Sequence, residues 1–199
     1  MTKTKSAIDK PKAKQWNPRK RKAAHTEFQT PPFVCNYMAS MIPDWVKTVL
    51  EPTPGIGNLV KAVPDRCEVT AAEDFFTFNK KKRFDCVIMN PPFSPSSAFN
   101  LPTEFESKGL QLGYHIMNDC LNMTDNVIAL MPWFTISDSD KRLRSIYRYG
   151  LKSVTALPRR TFQYMRMQTC ILEMERGWNK PTLFHVLDCM NDDDQIQLF

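Results

Sequence analysis

The sequence predicts an α/β fold in which helices cover both faces of a doubly wound, mostly parallel β-sheet. Short apolar segments typical of strands alternate with segments typical of helices along most of the chain. Two of the predicted strands end in turns that are rich in glycine or proline. Because ligands of open α/β sheets bind beyond the carboxyl ends of the strands, we expect the functional residues in these turns.

The first predicted strand covers residues 46–50 and runs into the turn Glu51-Pro52-Thr53-Pro54-Gly55-Ile56-Gly57. A short helix follows from Asn58, and Pro64 stops it. Glycines let the backbone bend tightly and approach a ligand closely, and a strand, an acid, a glycine-rich turn and a helix form a nucleoside-binding unit. The third glycine of the dinucleotide fingerprint is absent from this turn.

The region after this turn is unusually short, with only 26 residues between Gly57 and Phe84. It has room for the short helix and for one strand near residues 67–71. Two βα units do not fit, because a crossover needs about a dozen residues and a strand about five. We therefore expect one βα unit to be missing at an edge of the sheet, with Glu73, Asp74 and Phe75 just beyond the remaining strand.

The third predicted strand, residues 84–89, ends abruptly in Asn90-Pro91-Pro92-Phe93. Proline has no N–H and holds the preceding residue extended, so both prolines end the strand and stiffen the loop. The side-chain oxygen of Asn90 and the carbonyl of Pro91 suit the two N–H bonds of a planar amine, and they would stabilise the positive charge that grows as this amine attacks a methyl group. Phe93 would stack on the ring. The alternative is an ordinary strand-to-loop turn.

The second half of the chain continues the alternation of strands and helices. A loop over residues 94–111 is either a lid over the cleft or an exposed connection. Ser137 or Asp138 is expected to cap a helix that Gly150 ends. The predicted helices cover residues 112–122 and 139–149, and the predicted strands cover residues 127–133, 151–157, 167–174 and 183–187, with antiparallel pairing at the end of the sheet.

Four segments together, within residues 25–175, resemble a known enzyme family. They are the segment 25–31, the turns at residues 51–57 and 90–93, and the segment 157–162. In this order they resemble the S-adenosylmethionine-dependent adenine-N6 DNA methyltransferases whose cofactor motifs precede the Asn-Pro-Pro-Phe/Tyr motif, in a compact phage or bacterial form. The resemblance implies a Rossmann-like class I methyltransferase fold, S-adenosylmethionine as cofactor and DNA as partner.

The resemblance also implies which residues bind the cofactor. The Thr-Pro motif caps the methionine moiety, an acid binds the ribose and an Asp-Phe pair binds the adenine. Because one βα unit is missing, Glu73 is the nearest substitute for the ribose acid, and a solvated acid is an equally good interpretation. The implied cofactor residues are Thr30, Pro31, Glu51, Pro52, Thr53, Gly55, Gly57, Glu73, Asp74, Phe75 and Asn90.

On the substrate side, the resemblance implies a flipped-out adenine held between Phe93 and Phe162. Asn90, Pro91, Pro92 and Phe93 would form the catalytic loop, and Arg159, Arg160 and Arg166 would contact the nucleic acid. The transfer needs no cysteine nucleophile, and no metal site is expected, since Asp192–Asp194 has no other liganding group nearby in sequence.

Charge divides the chain into three parts. Residues 1–22 hold nine Lys or Arg against the single acid Asp9, so this segment has a charge of +8. The remainder of the chain has a charge of −2, which gives the net charge of +6. We expect residues 1–24 to form a basic, disordered tail, residues 25–190 a catalytic domain and residues 191–199 an acidic tail. The basic tail either attracts phosphates or solubilises the protein.

Composition favours a cytoplasmic enzyme of a bacterium or of a phage-infected host. The 199 residues suit one domain, and the six cysteines form no Cys-x-x-Cys pair and lie mostly in apolar runs. No apolar run reaches the roughly 18 residues of a membrane span. Two other functions stay open: methyl transfer to an RNA base or a protein glutamine, and a non-catalytic remnant that binds nucleic acid. The DNA sequence would be read by a specificity partner or by residues 94–111, or else the specificity is loose. A homo-oligomer is compatible with all three possibilities.

Overall fold

The structure, a computed structural model, describes residues 29–94, 98, 101–162 and 167–187. The predicted basic and acidic tails, Arg166, Cys189, Asp192–Asp194 and much of the Ser- and Pro-rich loop lie outside the described residues. No helix among the described residues is long and apolar enough to cross a membrane.

Among the described residues, seven strands form one sheet in the order β2-β1-β3-β4-β6-β5-β7. The strands β1 to β4 run parallel to one another, β6 is antiparallel to both β4 and β5, and β7 is parallel to β5. Their bounds are β1 Thr48–Glu51, β2 Glu68–Ala71, β3 Cys86–Met89, β4 Asn126–Pro132, β5 Leu151–Ala156, β6 Thr169–Glu175 and β7 Leu183–Val186. The predicted doubly wound, mostly parallel sheet is confirmed.

Five α-helices accompany the sheet in the described part of the chain. Their bounds are α1 Pro32–Ser40, α2 Asn58–Ala62, α3 Leu112–Cys120, α4 Phe134–Ser137 and α5 Asp140–Gly150, and two 3₁₀ segments cover Thr103–Gln111 and Arg159–Thr161. Side chains alternate between the two faces of the strands, so that two separate cores form. Val49, Ile88 and Ile128 pack beneath α1 and α2, whereas Leu50 and Val87 pack with α3 and α5.

The expected loss of one edge βα unit is confirmed. The strand β2 forms the edge of the sheet next to β1, and residues 72–85 between β2 and β3 form only turns and irregular structure. Because the deletion lies at the edge, β1 and β3 remain neighbours, with Val49 opposite Cys86 and Leu50 opposite Val87. The turns that follow these two strands therefore emerge side by side.

The antiparallel strand, however, lies inside the sheet and not at its end. The strand β6 is inserted between β4 and β5, and Cys170, Ile171, Leu172 and Met174 are completely buried. A strand with such a continuous apolar run is stabilised by neighbours on both edges and by cover on both faces. The edge position goes to β7, all of whose residues are exposed.

The cap predicted for the long helix α5 is wrong by one residue. The N-cap is Ser139, which has extended backbone angles and whose side chain accepts a hydrogen bond from the Arg142 amide at 3.3 Å. Ser137 instead ends the short helix α4, which the sequence did not predict. The predicted end at Gly150 is confirmed, since the helix stops at this residue. Gly150 has a φ of +133°, which residues with side chains rarely adopt, and the Glu175 carbonyl occupies the place of a Cβ atom.

The five described cysteines are free and buried. Burial raises the pKa of Cys35 to about 11 and that of Cys170 to about 12. Such thiols stay protonated near neutral pH and act as small apolar groups in the core.

Candidate functional site

A narrow cleft opens at the carboxyl edge of the sheet, where β1 and β3 end. It joins three segments that are distant in sequence: the segment before α1, the glycine-rich turn after β1 and the first residue after β3. The lining residues are Gln29, Thr30, Glu51, Thr53, Pro54, Gly55, Asn58, Leu59 and Asn90. Three of the four segments singled out in the sequence thus meet at one place.

Asn90 is tied to the opposite wall of the cleft by its side chain. Its Nδ2 donates a hydrogen bond to Oγ1 of Thr30 at 3.0 Å. Its backbone carbonyl accepts a hydrogen bond from Oγ1 of Thr53 at 3.4 Å. The first residue of the Asn-Pro-Pro-Phe loop is therefore held both by the segment before α1 and by the glycine-rich turn.

Glu51 places a carboxyl group at the bottom of the cleft with only 1% of its surface exposed. Its Oε1 accepts a hydrogen bond from the Thr53 amide at 2.9 Å and lies 3.4 Å from the Thr53 hydroxyl, whose single proton is shared with the Asn90 carbonyl. Burial disfavours the charged carboxylate and raises its pKa to about 8, although both hydrogen bonds oppose this shift. A buried acid of this kind suits a cationic ligand group, whose charge would replace the lost hydration.

The glycines shape the turn beside this acid. Gly55 and Gly57 have φ angles of +55° and +84°, which L-residues with side chains rarely adopt. A Cβ atom on Gly55 would lie 2.8 Å from the side-chain oxygen of Gln29, so this glycine also permits a close approach of the segment before α1. Pro52, between the acid and the turn, is buried.

Thr30 is 3% exposed, and its backbone is fixed from two sides. Its carbonyl accepts hydrogen bonds from Nδ2 of Asn58 at 3.0 Å and from Sγ of Cys35 at 3.5 Å. Pro31 has extended backbone angles and acts as the N-cap of α1, so the chain turns directly from the cleft into the helix. Gln29 is not among the predicted site residues, and Asn58 is predicted only as a helix start.

The rest of the Asn-Pro-Pro-Phe loop packs against α3. Pro91 is buried, whereas Pro92 and Phe93 are half-buried. A Cβ atom on Gly113 of α3 would lie 3.3 Å from Cγ of Pro91 and 3.5 Å from Cδ1 of Phe93. Gly113 therefore lets the helix approach the loop closely, a contact that spacing along the chain does not reveal.

Glu73, Asp74 and Phe75 follow β2 at the same edge of the sheet, since Ala71 lies opposite Glu51, but they lie outside the cleft lining. Glu73 is exposed. Oδ1 of Asp74 accepts a hydrogen bond from the Phe76 amide at 2.9 Å. The Phe75 ring is 4% exposed and belongs to the core.

Phe162 is 5% exposed and packs in the core beneath α1, together with Leu157 and Ile171. The stacking role predicted for its ring therefore requires the ring to leave this cluster. Arg159 and Arg160 lie on the exposed 3₁₀ segment just before it. The structure separates these residues from the cleft lining, so their roles stay predictions.

A larger cavity, of about 250 Å³, lies at the opposite edge of the sheet near the amino ends of β3 and β4, whereas the cleft has a volume of about 40 Å³. Its lining residues are Trp45, Arg83, Phe84, Asp85, Asp125 and Asn126. We assign the functional site to the smaller cleft, because ligands of parallel sheets bind at the carboxyl ends of the strands.

Known structures share this architecture, although neither the family models nor the curated proteins gave a match to the sequence. A modification subunit assigned to a type I restriction enzyme of Vibrio vulnificus superposes with a TM-score of 0.60 and 16% identity, over 83% of this chain and 48% of that one. The methyltransferase subunit of a type I restriction-modification system from Streptococcus thermophilus has a TM-score of 0.57 and 14% identity, over 80% and 47%.

A third similar structure, from Listeria monocytogenes, is described as a class I S-adenosylmethionine-dependent methyltransferase. It has a TM-score of 0.57 and 19% identity, over 84% of this chain and 68% of that one. The chain spans about half the length of the two restriction-modification subunits. At these identities the likeness concerns the fold, and the fold of this chain is that of class I S-adenosylmethionine-dependent methyltransferases.

Proposed function

We propose that this protein transfers a methyl group from S-adenosylmethionine to the exocyclic N6 amine of adenine in DNA. The observation that carries the proposal is the position of Asn90. It directly follows β3, lines the cleft beside the glycine-rich turn and donates a hydrogen bond to Thr30 at 3.0 Å. An amide and two prolines next to a nucleoside-type turn suit amine methylation better than a purely structural corner.

The residues of the cleft suit the cofactor, which supplies an electrophilic methyl group on a positively charged sulfur. The buried carboxyl of Glu51 would bind the ammonium group of the methionine moiety, and the Thr30 hydroxyl would face its carboxylate. Gly55 and Gly57 would let the backbone approach the nucleoside. A nucleoside needs more room than the cleft volume of about 40 Å³, so we expect it to extend along the strand edge towards Glu73 and Asp74. Because the Phe75 ring is buried, Phe75 would contribute backbone contacts only.

On the substrate side, the side-chain oxygen of Asn90 and the carbonyl of Pro91 would accept the two N–H bonds of the amine. They would stabilise the positive charge on the nitrogen as it attacks, and the stiff loop would hold it in line with the methyl group. Phe93, half-buried at the end of the loop, would stack on the base. The base must first rotate out of the duplex or come from a single strand.

DNA is the preferred partner for two reasons. The Thr-Pro segment before the glycine-rich turn, and Phe162 in the segment 157–162, resemble the DNA methyltransferases more than the enzymes that act on RNA or protein. The similar structures that carry the fold argument include subunits named for restriction-modification systems. Exposed Arg159 and Arg160, together with the nine basic residues at positions 1–22, would contact phosphates. A specificity partner or a second copy would supply sequence recognition that the cleft itself does not provide.

Titration calorimetry with S-adenosylmethionine separates an enzyme from a non-catalytic remnant. We expect saturable binding to the wild-type protein, and weaker binding to Glu51→Gln. Glu68→Gln, which changes an exposed carboxyl on β2, is the matched control and should bind as the wild type does. An absence of binding to the wild type would contradict the proposal.

Radiolabelled methyl transfer to unmethylated DNA, RNA and protein, assayed in parallel, identifies the substrate class. We expect label in DNA. Label in RNA alone would indicate an RNA substrate, label in protein alone would indicate a protein substrate, and either result would overturn the DNA assignment.

A further inference from the structure

We infer that Thr30 is a positioning residue that selects the reactive orientation of the Asn90 carboxamide and couples this orientation to cofactor binding. This inference deepens the proposed function and rests on it. The contact that carries it is the hydrogen bond from Nδ2 of Asn90 to Oγ1 of Thr30, 3.0 Å long, between residues 60 positions apart in the chain.

A carboxamide has two ends of nearly equal size and opposite hydrogen-bonding character. If the oxygen of Asn90 faces the substrate amine, it accepts an N–H bond. If the amide rotates by half a turn, its own N–H groups face those of the amine, and this arrangement repels the substrate. Shape therefore does not choose between the two orientations. The Thr30 oxygen, which accepts from Nδ2 at 3.0 Å, selects the reactive orientation when the hydroxyl proton is donated to another acceptor.

Thr30 is well suited to hold this acceptor in place. Its side chain is almost completely buried, with 3% of the residue exposed. Its carbonyl is held by Asn58 at 3.0 Å and by Cys35 at 3.5 Å, so both α2 and α1 fix its backbone. A threonine is also stiff about χ1, which limits the positions of its hydroxyl. The hydroxyl is thus a fixed reference point from which Asn90 is oriented.

The same hydroxyl connects the cofactor to the catalytic loop. A hydroxyl group carries one proton and two lone pairs. When a carboxylate of the cofactor accepts that proton, the oxygen can only accept from Asn90. Bound cofactor would therefore lock Nδ2 of Asn90 towards Thr30 and its oxygen towards the amine. The link predicts that cofactor binding orders the substrate-binding loop.

The test compares Thr30→Val, which keeps the shape and removes the acceptor, with Thr30→Ser, which keeps the acceptor. At saturating cofactor we expect Thr30→Val to lower kcat about 10-fold or more and Thr30→Ser to lower it by less than about threefold. In an Asn90→Ala background, Thr30→Val should cause no further loss of kcat, because the group that it orients is gone. An unchanged kcat in Thr30→Val, or full additivity of the two losses, would overturn the inference.

A second readout does not depend on turnover. The side-chain amide protons of Asn90 are assigned by NMR as the resonances that disappear in Asn90→Ala. One of them should shift in Thr30→Val and keep its position in Thr30→Ser, and cofactor should broaden or shift it in the wild type and in Thr30→Ser but not in Thr30→Val. If the wild-type protein methylates none of the three substrate classes, the proposed function fails, and the NMR comparison still decides whether Thr30 orients Asn90. Identical amide resonances in the wild type and Thr30→Val would contradict that role.

Discussion

Asn90 is the residue on which the proposed chemistry depends most. Its carboxamide lines the cleft, is oriented by Thr30 and follows a strand whose four residues, Cys86–Met89, are completely buried. The strand is thus a rigid base for a side chain that must hold a nucleophile in line with a methyl donor. Neither Pro91 nor Pro92 can replace this function, because they contribute only carbonyl oxygens and stiffness.

We predict that Asn90→Ala lowers kcat by about a hundredfold or more, in the range seen when one preorganised hydrogen-bonding group is removed from a transition state. The dissociation constant of the cofactor should change much less, because Glu51 and the glycine-rich turn remain intact. Steady-state kinetics and titration calorimetry measure the two effects separately. An unchanged kcat, or a loss confined to cofactor affinity, would contradict the assigned role.

The buried carboxyl of Glu51 predicts a pH dependence of cofactor binding. Its pKa is raised from 4.5 to about 8, so the free protein holds it largely protonated at neutral pH. A bound ammonium group favours the carboxylate, and binding therefore releases a proton. Affinity should rise with pH up to about 8 and then level off. Calorimetry in buffers of different ionisation enthalpy measures the released proton.

Glu51→Gln should abolish this pH dependence and bind the cofactor more weakly at pH 8, whereas Glu68→Gln should retain the wild-type profile. The same shift also acts on stability. Because the unfolded chain ionises first, the contribution of Glu51 to the free energy of unfolding falls as pH rises from 4.5 to about 8. A Glu51→Gln variant with the wild-type pH profile of cofactor binding would show that another group titrates.

At the element scale, the contact between α3 and the Asn-Pro-Pro-Phe loop sets the position of the catalytic residues. Gly113 allows this contact, since its missing Cβ would lie 3.3 Å from Pro91 and 3.4 Å from the Pro92 carbonyl. Distances this short leave no space for a branched side chain. The loop therefore packs directly against α3, and this contact sets its position.

We predict that Gly113→Val displaces the loop and lowers kcat about tenfold or more, with a loss of roughly 1–3 kcal/mol in the free energy of unfolding from overpacking. Denaturant unfolding measures the stability, and kcat is then measured where the variant is fully native. Gly113→Ala is the graded control and should have a smaller effect on both quantities. A fully active Gly113→Val protein would show that the loop position is set elsewhere.

The 3₁₀ segment Arg159–Thr161 offers a test of the nucleic-acid side. If Arg159 and Arg160 each neutralise one phosphate, replacing both by Ala should reduce the slope of log K against log salt by about 2. The matched control removes two exposed charges, Lys81 and Lys82, from the segment before β3, at the other edge of the sheet. Its salt slope should stay at the wild-type value. If both double substitutions reduced the salt slope equally, the arginines would contribute only non-specific attraction between the protein and DNA.

At the scale of the whole molecule, local sequence patterns were sufficient where structure is decided locally. The turn after β1, the proline-stopped strand β3 and the glycine end of α5 all appear where the residues indicated. The loss of one βα unit was also predictable, because 26 residues between Gly57 and Phe84 limit what the chain can form. These features depend on the chemistry of the local backbone and on the length of the segment, and none of them requires knowledge of distant contacts.

Long-range packing decided the features that the sequence did not reveal. The strand β6 lies in the middle of the sheet, where it forms hydrogen bonds with β4 on one edge and with β5 on the other. Phe162, for which the resemblance implies stacking on the flipped-out base, is buried beneath α1 with Leu157 and Ile171 in the same cluster, and its stacking role stays a prediction. Gly113 contacts Phe93, which lies 20 residues earlier in the chain, and Thr30 contacts Asn90, which lies 60 residues later. No spacing rule predicts such pairs.

The assembly of the site also explains why a shortened sheet can keep the proposed chemistry. The deletion removes material beyond β2, whereas the cleft depends on the pairing of β1 with β3 and on the segment before α1. The loss falls on the side where the adenosine moiety would extend. We therefore expect weaker binding of the nucleoside half and an unimpaired methyl-transfer geometry.

The most direct measurement is the identity of the methylated product. Unmethylated DNA is incubated with the wild-type protein and labelled S-adenosylmethionine, then digested to nucleosides and separated by chromatography with mass detection. We expect N6-methyldeoxyadenosine with the wild-type protein and a strongly reduced yield with Asn90→Ala. Label on another nucleoside, or an equal yield from the Asn90→Ala protein, would contradict the proposed function.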